Sequence, residues 1–426
     1  MTMPASGAYF VRAQGNKGAD VEGYATFKWP SKPGHTKSVV SDLAWDLAPL
    51  QGVTREVVDL VHIAAGAYMA DRSTKRGVRF SRDIALQVAV LAPDAWTDEL
   101  LDTTADLLGW LTGDSWNFTV TAAPEVDFEE TCEIADGSTV SLLSGGLDSY
   151  LGAIQLLKSG TTPTFVGHKD TATSIRGAQT AVGTWLGQSF APAPSYARFQ
   201  LAQAIRRHEP SSRSRAFMFL SLGVAVANSI GSKSLIVPEN GYTGINLPLR
   251  PNRGGALSTR STHPETFRRV AEILAGLNID VTVTNPFEWM TKGEAMESVR
   301  DIHPPAGWEG TAAKTLSCSK LGGNWFAGSP NLNCGLCVPC MVRRATFVKA
   351  NVVDSTQYLF QAISGTHLSD LIDARRGDIE AVRYAIEAGV DVDAIDSGTW
   401  PPDYDLERVE DLVQRGLNEL VLLELP

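Results

Sequence analysis

The rhythm of apolar and polar positions changes along the 426 residues and divides the chain into three stretches. In residues 1–132, short β-rich runs near Ala8–Arg12, Tyr24–Trp29, Asp83–Leu91 and Trp116–Thr121 surround two runs of helical period, Arg55–Met69 and Asp98–Leu111. Leu86, Val88 and Val90 alternate with their neighbours, which is the period of a strand. Strands mixed with helices in this way predict a small α+β domain. Pro30 to Lys37 reads as a loop. The polar segments Asp71-Arg72 and Arg76–Arg82 read as solvated surface loops, and Cys132 as a small buried residue without chemistry.

Residues 133–350 have a different pattern. Short apolar strands at Val140–Leu143, Pro163–Gly167, Ser234–Pro238 and Asp280–Thr284 alternate with helical runs at Tyr150–Lys158, Thr173–Trp185, Ala216–Ser229, Thr262–Leu274 and Thr291–Val299. Thr262 with Glu265 and Thr291 with Glu294 have the spacing of capping boxes. Repeated strand–helix units predict an α/β fold, a parallel sheet with helices on both faces. Ligands of such sheets bind beyond the carboxyl ends of the strands. Residues 351–426 form a helical extension. Within it, Arg376–Val382 and Glu387–Ala394 resemble a single ankyrin-type repeat, which reads as a helix–turn–helix packed on the body.

Composition narrows the function. Net charge is −11, so the bulk field repels polyanions and direct nucleic-acid binding is disfavoured. No apolar run reaches 18 residues and no basic stretch opens the chain ahead of an apolar core, so the expectation is a cytoplasmic protein with no membrane span. Four of the five cysteines, Cys318, Cys334, Cys337 and Cys340, crowd into 23 residues. Without an export signal, that favours a metal over disulfides. Gly335 and Pro339 supply the turns that let several thiolates face one ion, and four thiolates make a closed, structural zinc site.

The strongest chemical signal is Ser144-Gly145-Gly146-Leu147-Asp148-Ser149, which follows the first strand of the second stretch and precedes a helix. Glycines there bring N–H groups close to an anion, and the helix N-terminus adds unpaired donors. The two serines add hydroxyls, and Asp148 suits a cation or an orienting role. No Gly-Lys-Ser/Thr follows, so this is not a Walker loop.

The segment matches S-G-G-x-D-S, the PP-loop of ATP pyrophosphatases. Together with Thr291-Lys292-Gly293-Glu294, Thr315–Cys318 and Cys334-Gly335-Leu336-Cys337-Val338-Pro339-Cys340, it resembles the 7-cyano-7-deazaguanine synthase (QueC) family over residues 137–350. The resemblance implies an ATP-dependent C–N ligase that adenylates a 7-carboxy-7-deazaguanine, with Mg²⁺ as cofactor and a structural zinc. An iron–sulfur cluster, carried by some tRNA-thiolating PP-loop enzymes, is the alternative for the four cysteines. The long Cys318–Cys334 gap and the two flanking regions resemble enlarged QueC-like proteins such as QatC of the Qat antiphage defence systems. That likeness implies partners from a defence operon and an acyl transfer to an amine on one of them. A plain synthase using ammonia, a tRNA-modifying enzyme and an inert nucleotide-binding scaffold are the competing readings.

The implied roles follow residue by residue. Ser144, Gly145, Gly146, Leu147, Asp148 and Ser149 hold phosphates, and Val166, Gly167 and His168 hold adenine through the main chain. Asp148, Ser149, Arg215 and Lys292 serve the chemistry. Arg213, Arg215, Glu239, Asn240 and Gly241 bind the deazaguanine. Arg215 stands where the synthases have an Arg-Asn pair, but Ala216 replaces the Asn. Arg206 and Arg207 extend its basic cluster. His168 and His263 are expected to be structural side chains.

Overall fold

The computed structural model describes residues 5–15, 20–77, 81–124, 138–169, 172–204, 208–209, 213–250 and 259–426. Cys132, Arg206 and Arg207 lie outside the described residues. The first stretch contains β1 (Ala5–Ala13), β2 (Ala25–Trp29), β3 (Gly34–His35), β4 (Val39–Ser41), α1 (Arg55–Ser73), β5 (Arg82–Val90), α2 (Asp98–Thr112) and β6 (Ser115–Ala122). Four of these strands form a sheet in the order β2-β1-β5-β6, and its β1–β2, β1–β5 and β5–β6 pairs are parallel. Tyr9 of β1 stands opposite Leu86 of β5. The expected α+β unit thus carries its helices on a parallel sheet. The reason lies in the connections: α1 precedes β5 and α2 joins β5 to β6, so no tight hairpin pairs these strands.

The second stretch contains β7 (Val140–Leu142), α3 (Leu147–Lys158), β8 (Thr164–His168), α4 (Thr173–Ser189), β9 (Ser195–Phe199), β10 (Leu201–Gln203), α5 (Arg215–Ser229), β11 (Ser234–Ile236), α6 (Gly241–Ile245), α7 (Pro264–Gly276), β12 (Thr282–Thr284), α8 (Lys292–Asp301) and α9 (Trp308–Ala312). Its sheet runs β12-β11-β7-β8-β9 with every pair parallel. After β7 the chain first builds β8 and β9 on one side, then β11 and β12 on the other. Strand order therefore reverses between β7 and β11, and a crevice opens beyond their carboxyl ends.

One apolar core runs through both sheets. α1 is buried at every position from Val57 to Asp71, and α5 at most positions from Phe217 to Ala227. Apolar residues recur on every side of both helices, so both must be covered all round. These two helices pack on each other, with a sheet behind each, and the core cluster includes Val11, Leu86, Val140 and Leu235 alike. Gly66 allows α1 to lie close on the first sheet: a Cβ there would lie 2.7 Å from Val11 Cγ2 of β1. β10 also pairs antiparallel with β4, lacing the two stretches together.

The last stretch is helical as expected: α11 (Leu359–Ala362), α12 (Gly365–Ala388), α13 (Val392–Asp396) and α14 (Leu406–Val421) form a second core with the cysteine cluster and with α10 (Val338–Lys349), which ends the second stretch. The ankyrin-like segment is the second half of the 24-residue α12, a glycine at φ +75, and one short helix. No helix among the described residues is long and apolar enough to cross a membrane.

Two local expectations are corrected. The helix expected from Thr262 begins at Pro264, and its cap is His263, whose Nδ1 accepts from Glu265 N at 3.2 Å. Proline fits the first helical position because its missing N–H is not needed there, and this shifts the cap by one residue. Asp71 and Arg82, expected on solvated loops, are both buried. Arg82 is inaccessible and donates to Asp71 Oδ1 and Asp114 Oδ2, each at 2.5 Å, while Arg76 holds Asp114 bidentately at 2.9 and 3.0 Å. Arg82 opens a buried strand, so its charge is matched by two carboxylates instead of water. Arg82→Leu leaves two buried carboxylates with Arg76 as their remaining cation, and should cost about 3–5 kcal/mol in urea unfolding; a loss under about 1 kcal/mol would show that the network does not hold the sheet.

Candidate active site at the sheet crossover

The loop after β7 is built tightly. Gly145 has φ +88, a conformation open to glycine, and a Cβ on it would press on Gln179 Cγ at 2.9 Å. Gly146 is the extended cap of α3, which starts at Leu147, three residues before the sequence expectation. Ser149 Oγ donates to Gly146 O at 3.1 Å and accepts from Ser144 N at 3.2 Å, while Ser144 Oγ accepts from Gly146 N at 3.2 Å. Both serines thus shape the loop. Gln179 Nε2 anchors it from α4, donating to Ser144 O at 3.3 Å and His168 O at 2.9 Å.

Asp148 lies in the first turn of α3 and is buried. Its Oδ2 accepts from Lys292 Nζ at 2.6 Å and from Asn240 Nδ2 at 3.2 Å. Among the described residues, its buried Oδ1 has no hydrogen-bond partner. Glu239 lies beside it, and its carboxyl is pushed up to about 8, first by burial and then by the charge of Asp148, against the pull of Lys292. An unpaired carboxylate oxygen next to a second carboxyl suits a hard divalent cation, so Asp148 and Glu239 are the residues that would hold Mg²⁺.

The three elements that converge here are locally specified. Asn240 caps α6, its Oδ1 accepting from Thr243 N at 3.0 Å. Asn285 clamps Glu239 from both sides, accepting from its N at 3.1 Å and donating to its O at 2.7 Å. Lys292 opens α8, whose capping box of Thr291 and Glu294 is formed with both bonds. Lys292 is buried, although it is the first residue of its helix. Gly241 is not at the cavity. It packs on the Glu288 carbonyl, and its N–H serves Phe287 O and Met290 O.

A cavity of about 310 Å³ lies beyond the ends of β7, β8 and β11. Leu142, Val166, Phe219 and Val237 make its apolar walls; Ser144, Ser149, Glu239 and Arg215 bring polar groups to it. A smaller space of about 200 Å³ on the other side of the loop shares Ser144, His168, Arg215 and Phe219 with it. Arg215 opens α5, and its guanidinium lies over the Phe219 ring at 5.4 Å. No hydrogen bond or ion pair engages that guanidinium among the described residues, so it is the available cation of the cavity. Arg213 also lines the cavity, but its backbone N–H is tied to Asp71 at 3.1 Å, and burial, then the nearby Arg76, lowers its pKa. At Gly167 a Cβ would lie 2.8 Å from Leu143 O, which keeps that wall flat. The His168 ring is buried on Phe219, with Nε2 3.0 Å from Leu201 O. It serves the fold, as does the capping His263.

The four cysteine sulfurs lie within 4.8 Å of one another, and the Cys318–Cys337 and Cys334–Cys340 pairs are 3.9 Å apart. Tetrahedral zinc with bonds of about 2.3 Å separates thiolates by about 3.8 Å. An iron–sulfur cubane binds each thiolate to a different iron and spreads them farther. Backbone N–H groups also point at the sulfurs, from Cys337 to Cys334 Sγ at 3.2 Å and from Lys320 and Cys334 to Cys318 Sγ at 3.4 Å. The donor set fits a structural zinc. It pins the 319–333 loop to α10, and Leu316 N reaches Gly145 O at 3.1 Å, so this fastening ends at the glycine loop.

Sequence reasoning missed Gln179, Asn285, Asp71 and Glu419. Asp71 Oδ2 accepts from the N of Ser214 at 3.2 Å, just ahead of Arg215. Glu419 accepts from Thr291 Oγ1 and, at 3.2 Å, from Gly293 N, and burial raises its pKa to about 7. One sequence signal existed for Glu419: it interrupts the apolar stripe Val409, Leu412, Val413, Gly416, Leu417 and Leu420 of α14.

No protein-family model matches the chain. The chain is similar to 7-cyano-7-deazaguanine synthases. It is 27% identical over 150 residues to those of Rickettsia rickettsii strains Sheila Smith and Iowa, covering 34% of this chain and 56% of theirs. It is 24% identical over 146 residues to that of Rickettsia felis, covering 34% of this chain and 55% of the relative. The chain thus spans about half the length of the curated relatives it matches. The similarity supports a distant relation to the QueC-like proteins, in line with the parallel sheet and its glycine loop.

Glu239 has a testable consequence. Its carboxyl ionises near 4.5 when free and near 8 in the fold. The folded chain therefore binds the extra proton between those values, and stability falls as pH rises through them. Glu239→Gln removes that slope, so its melting temperature relative to wild type should climb from about pH 5 to about pH 9 in calorimetry; a difference that stays constant would place the ionisation elsewhere.

Proposed function

We propose that this protein is an ATP-dependent, AMP-forming C–N ligase of the QueC-like type that acts on a 7-carboxy-7-deazaguanine-type carboxylate. The observation that carries the reading is the buried Asp148, fixed by Lys292 and Asn240 with its Oδ1 unpaired, directly behind a glycine loop at the sheet crossover. The name of the similar proteins supports the substrate class. We assign residues 133–350 to catalysis, 1–132 and 351–426 to flanking regions that complete the site and meet partners, and the whole to the cytoplasm.

A carboxylate is a poor acyl donor because oxide is a poor leaving group. In the proposed reaction a carboxylate oxygen attacks the α-phosphorus of ATP, and the bond to the β-phosphate oxygen breaks, releasing pyrophosphate. An amine then attacks the acyl carbon, the acyl–oxygen bond breaks, and AMP and a proton leave. Neither step needs a protein nucleophile; positioning and charge stabilisation suffice. The N–H groups that open α3 offer donors to a phosphate. Val166 and Gly167 offer a flat wall for adenine. Arg215 can take a carboxylate or phosphate bidentately. Glu239, at the cavity wall, can read a base edge or share the cation with Asp148. Mg²⁺, held by those carboxylates, would screen the phosphate charge. The zinc would be structural.

The acceptor we propose is an amine on a partner protein, from the enlarged QueC-like architecture and its likeness to antiphage-defence proteins. The second reading, a synthase using ammonia, is favoured by the names of the similar proteins. Incubation with ATP, Mg²⁺ and 7-carboxy-7-deazaguanine, with and without neighbour-encoded proteins, separates them by mass spectrometry. AMP with a mass gain on a partner supports conjugation; AMP with a free nitrile supports the synthase. Asp148→Ala should reduce AMP formation by at least about a hundredfold. Full AMP formation by this variant would contradict the assignment of the loop, and no AMP from wild type would leave an inert scaffold.

A further inference from the structure

Each flanking region sends a buried carboxylate to the start of a helix that opens with a cation of the site. Asp71 of α1 binds the N–H of Arg213 and Ser214 and the hydroxyl of Ser214, at 3.1, 3.2 and 2.8 Å, and Arg215 follows. Glu419 of α14 binds Thr291 Oγ1 and Gly293 N, on either side of Lys292. Asp71 also carries the Arg82 ion pair, so its folding role is evident. Among the described residues Glu419 forms no such ion pair: its hydrogen bonds are to the residues that flank Lys292.

The location is costly for a carboxylate. Glu419 is 5% exposed on the apolar face of α14. The charges around it are Lys349 of α10, which favours ionisation, and Glu294 of α8, which opposes it. Arg415, one turn earlier on α14, ties down Glu294 and donates to Trp289 O at 3.3 Å. There is no spare room: a Cβ on Gly293 would collide with Glu419 and with Lys349. The Lys292 ammonium reaches Asp148 from this one turn of backbone, and the turn is fixed by a residue 127 positions away in sequence.

We infer that Glu419 is a positioning residue for Lys292, so that the C-terminal helix is a working part of the candidate active site. Its contacts set the backbone at 291–293, the backbone sets the reach of Lys292, and Lys292 sets the orientation of Asp148. The kinetic consequence rests on the proposed adenylation; the geometric one does not.

The full-length protein with Glu419→Gln, which keeps the shape, and Glu419→Ala should be compared with wild type by trace acylation of lysines, read by mass spectrometry below the melting transition. Labelling of Lys292 should rise by about fivefold or more in Glu419→Ala, and less in Glu419→Gln, while exposed Lys158 and Lys233 stay unchanged. In the same samples, kcat for AMP formation should fall by about tenfold to a hundredfold in Glu419→Ala with KM for ATP little changed. A lower melting temperature with unchanged Lys292 labelling in both variants would overturn the inference, leaving Glu419 a packing residue. Wild type that makes no AMP would sink the adenylation reading and leave the labelling result to decide this one. Should Glu419→Ala fail to fold, Glu419→Gln carries the test.

Discussion

The buried pair of Asp148 and Lys292 constrains most of this structure. A carboxylate and an ammonium removed from water are each costly, and the pair is stable only with good geometry and further hydrogen bonds. Geometry comes from three separate elements: the start of α3, the asparagine that follows β11, and the start of α8. These meet because strand order reverses between β7 and β11, so the two strand ends diverge and leave room for side chains behind the loop. Among the described residues Asp148 Oδ2 accepts two hydrogen bonds and Oδ1 none, so the pair leaves one buried carboxylate oxygen beside Glu239. Helix, crossover and free oxygen are consequences of one arrangement.

The flanking regions belong to that arrangement. The core is continuous from the first sheet through α1 and α5 into the second sheet, so the first stretch cannot be lifted off without exposing two helices that are buried on nearly every face. Asp71 and Glu419 show the same logic in polar terms. The N-terminus of a helix attracts negative charge. Here those ends are filled by carboxylates from distant parts of the chain, and the adjacent cations face the site. The cysteine cluster fastens a third side, through the segment that ends at Gly145.

Much of this was legible in the sequence. The strand–glycine–helix pattern at 140–158 and the Cys-x-x-Cys-x-x-Cys spacing are local signals, and local signals transfer directly to structure. The capping box at Thr291 was legible for the same reason. What was not legible depended on distant partners. Arg82 reads as a loop residue until Asp71 and Asp114 are placed beside it. Lys292 reads as a cation of the chemistry with no partner named, until Asp148 is placed 2.6 Å away. The cap at Thr262 failed because Pro264 outranks the Thr–Glu spacing. Gln179 and Asn285 carry no pattern at all, since a single amide supporting a backbone carbonyl has no sequence period.

The central claim is that the substrate carboxylate itself attacks the α-phosphate of ATP. It can be tested by preparing 7-carboxy-7-deazaguanine with oxygen-18 in both carboxylate positions, incubating it with ATP, Mg²⁺ and the protein, and weighing the AMP. The account predicts AMP heavier by one oxygen-18 and pyrophosphate with none. Unlabelled AMP would contradict it, whether one oxygen-18 appears in pyrophosphate or both remain in unconverted carboxylate.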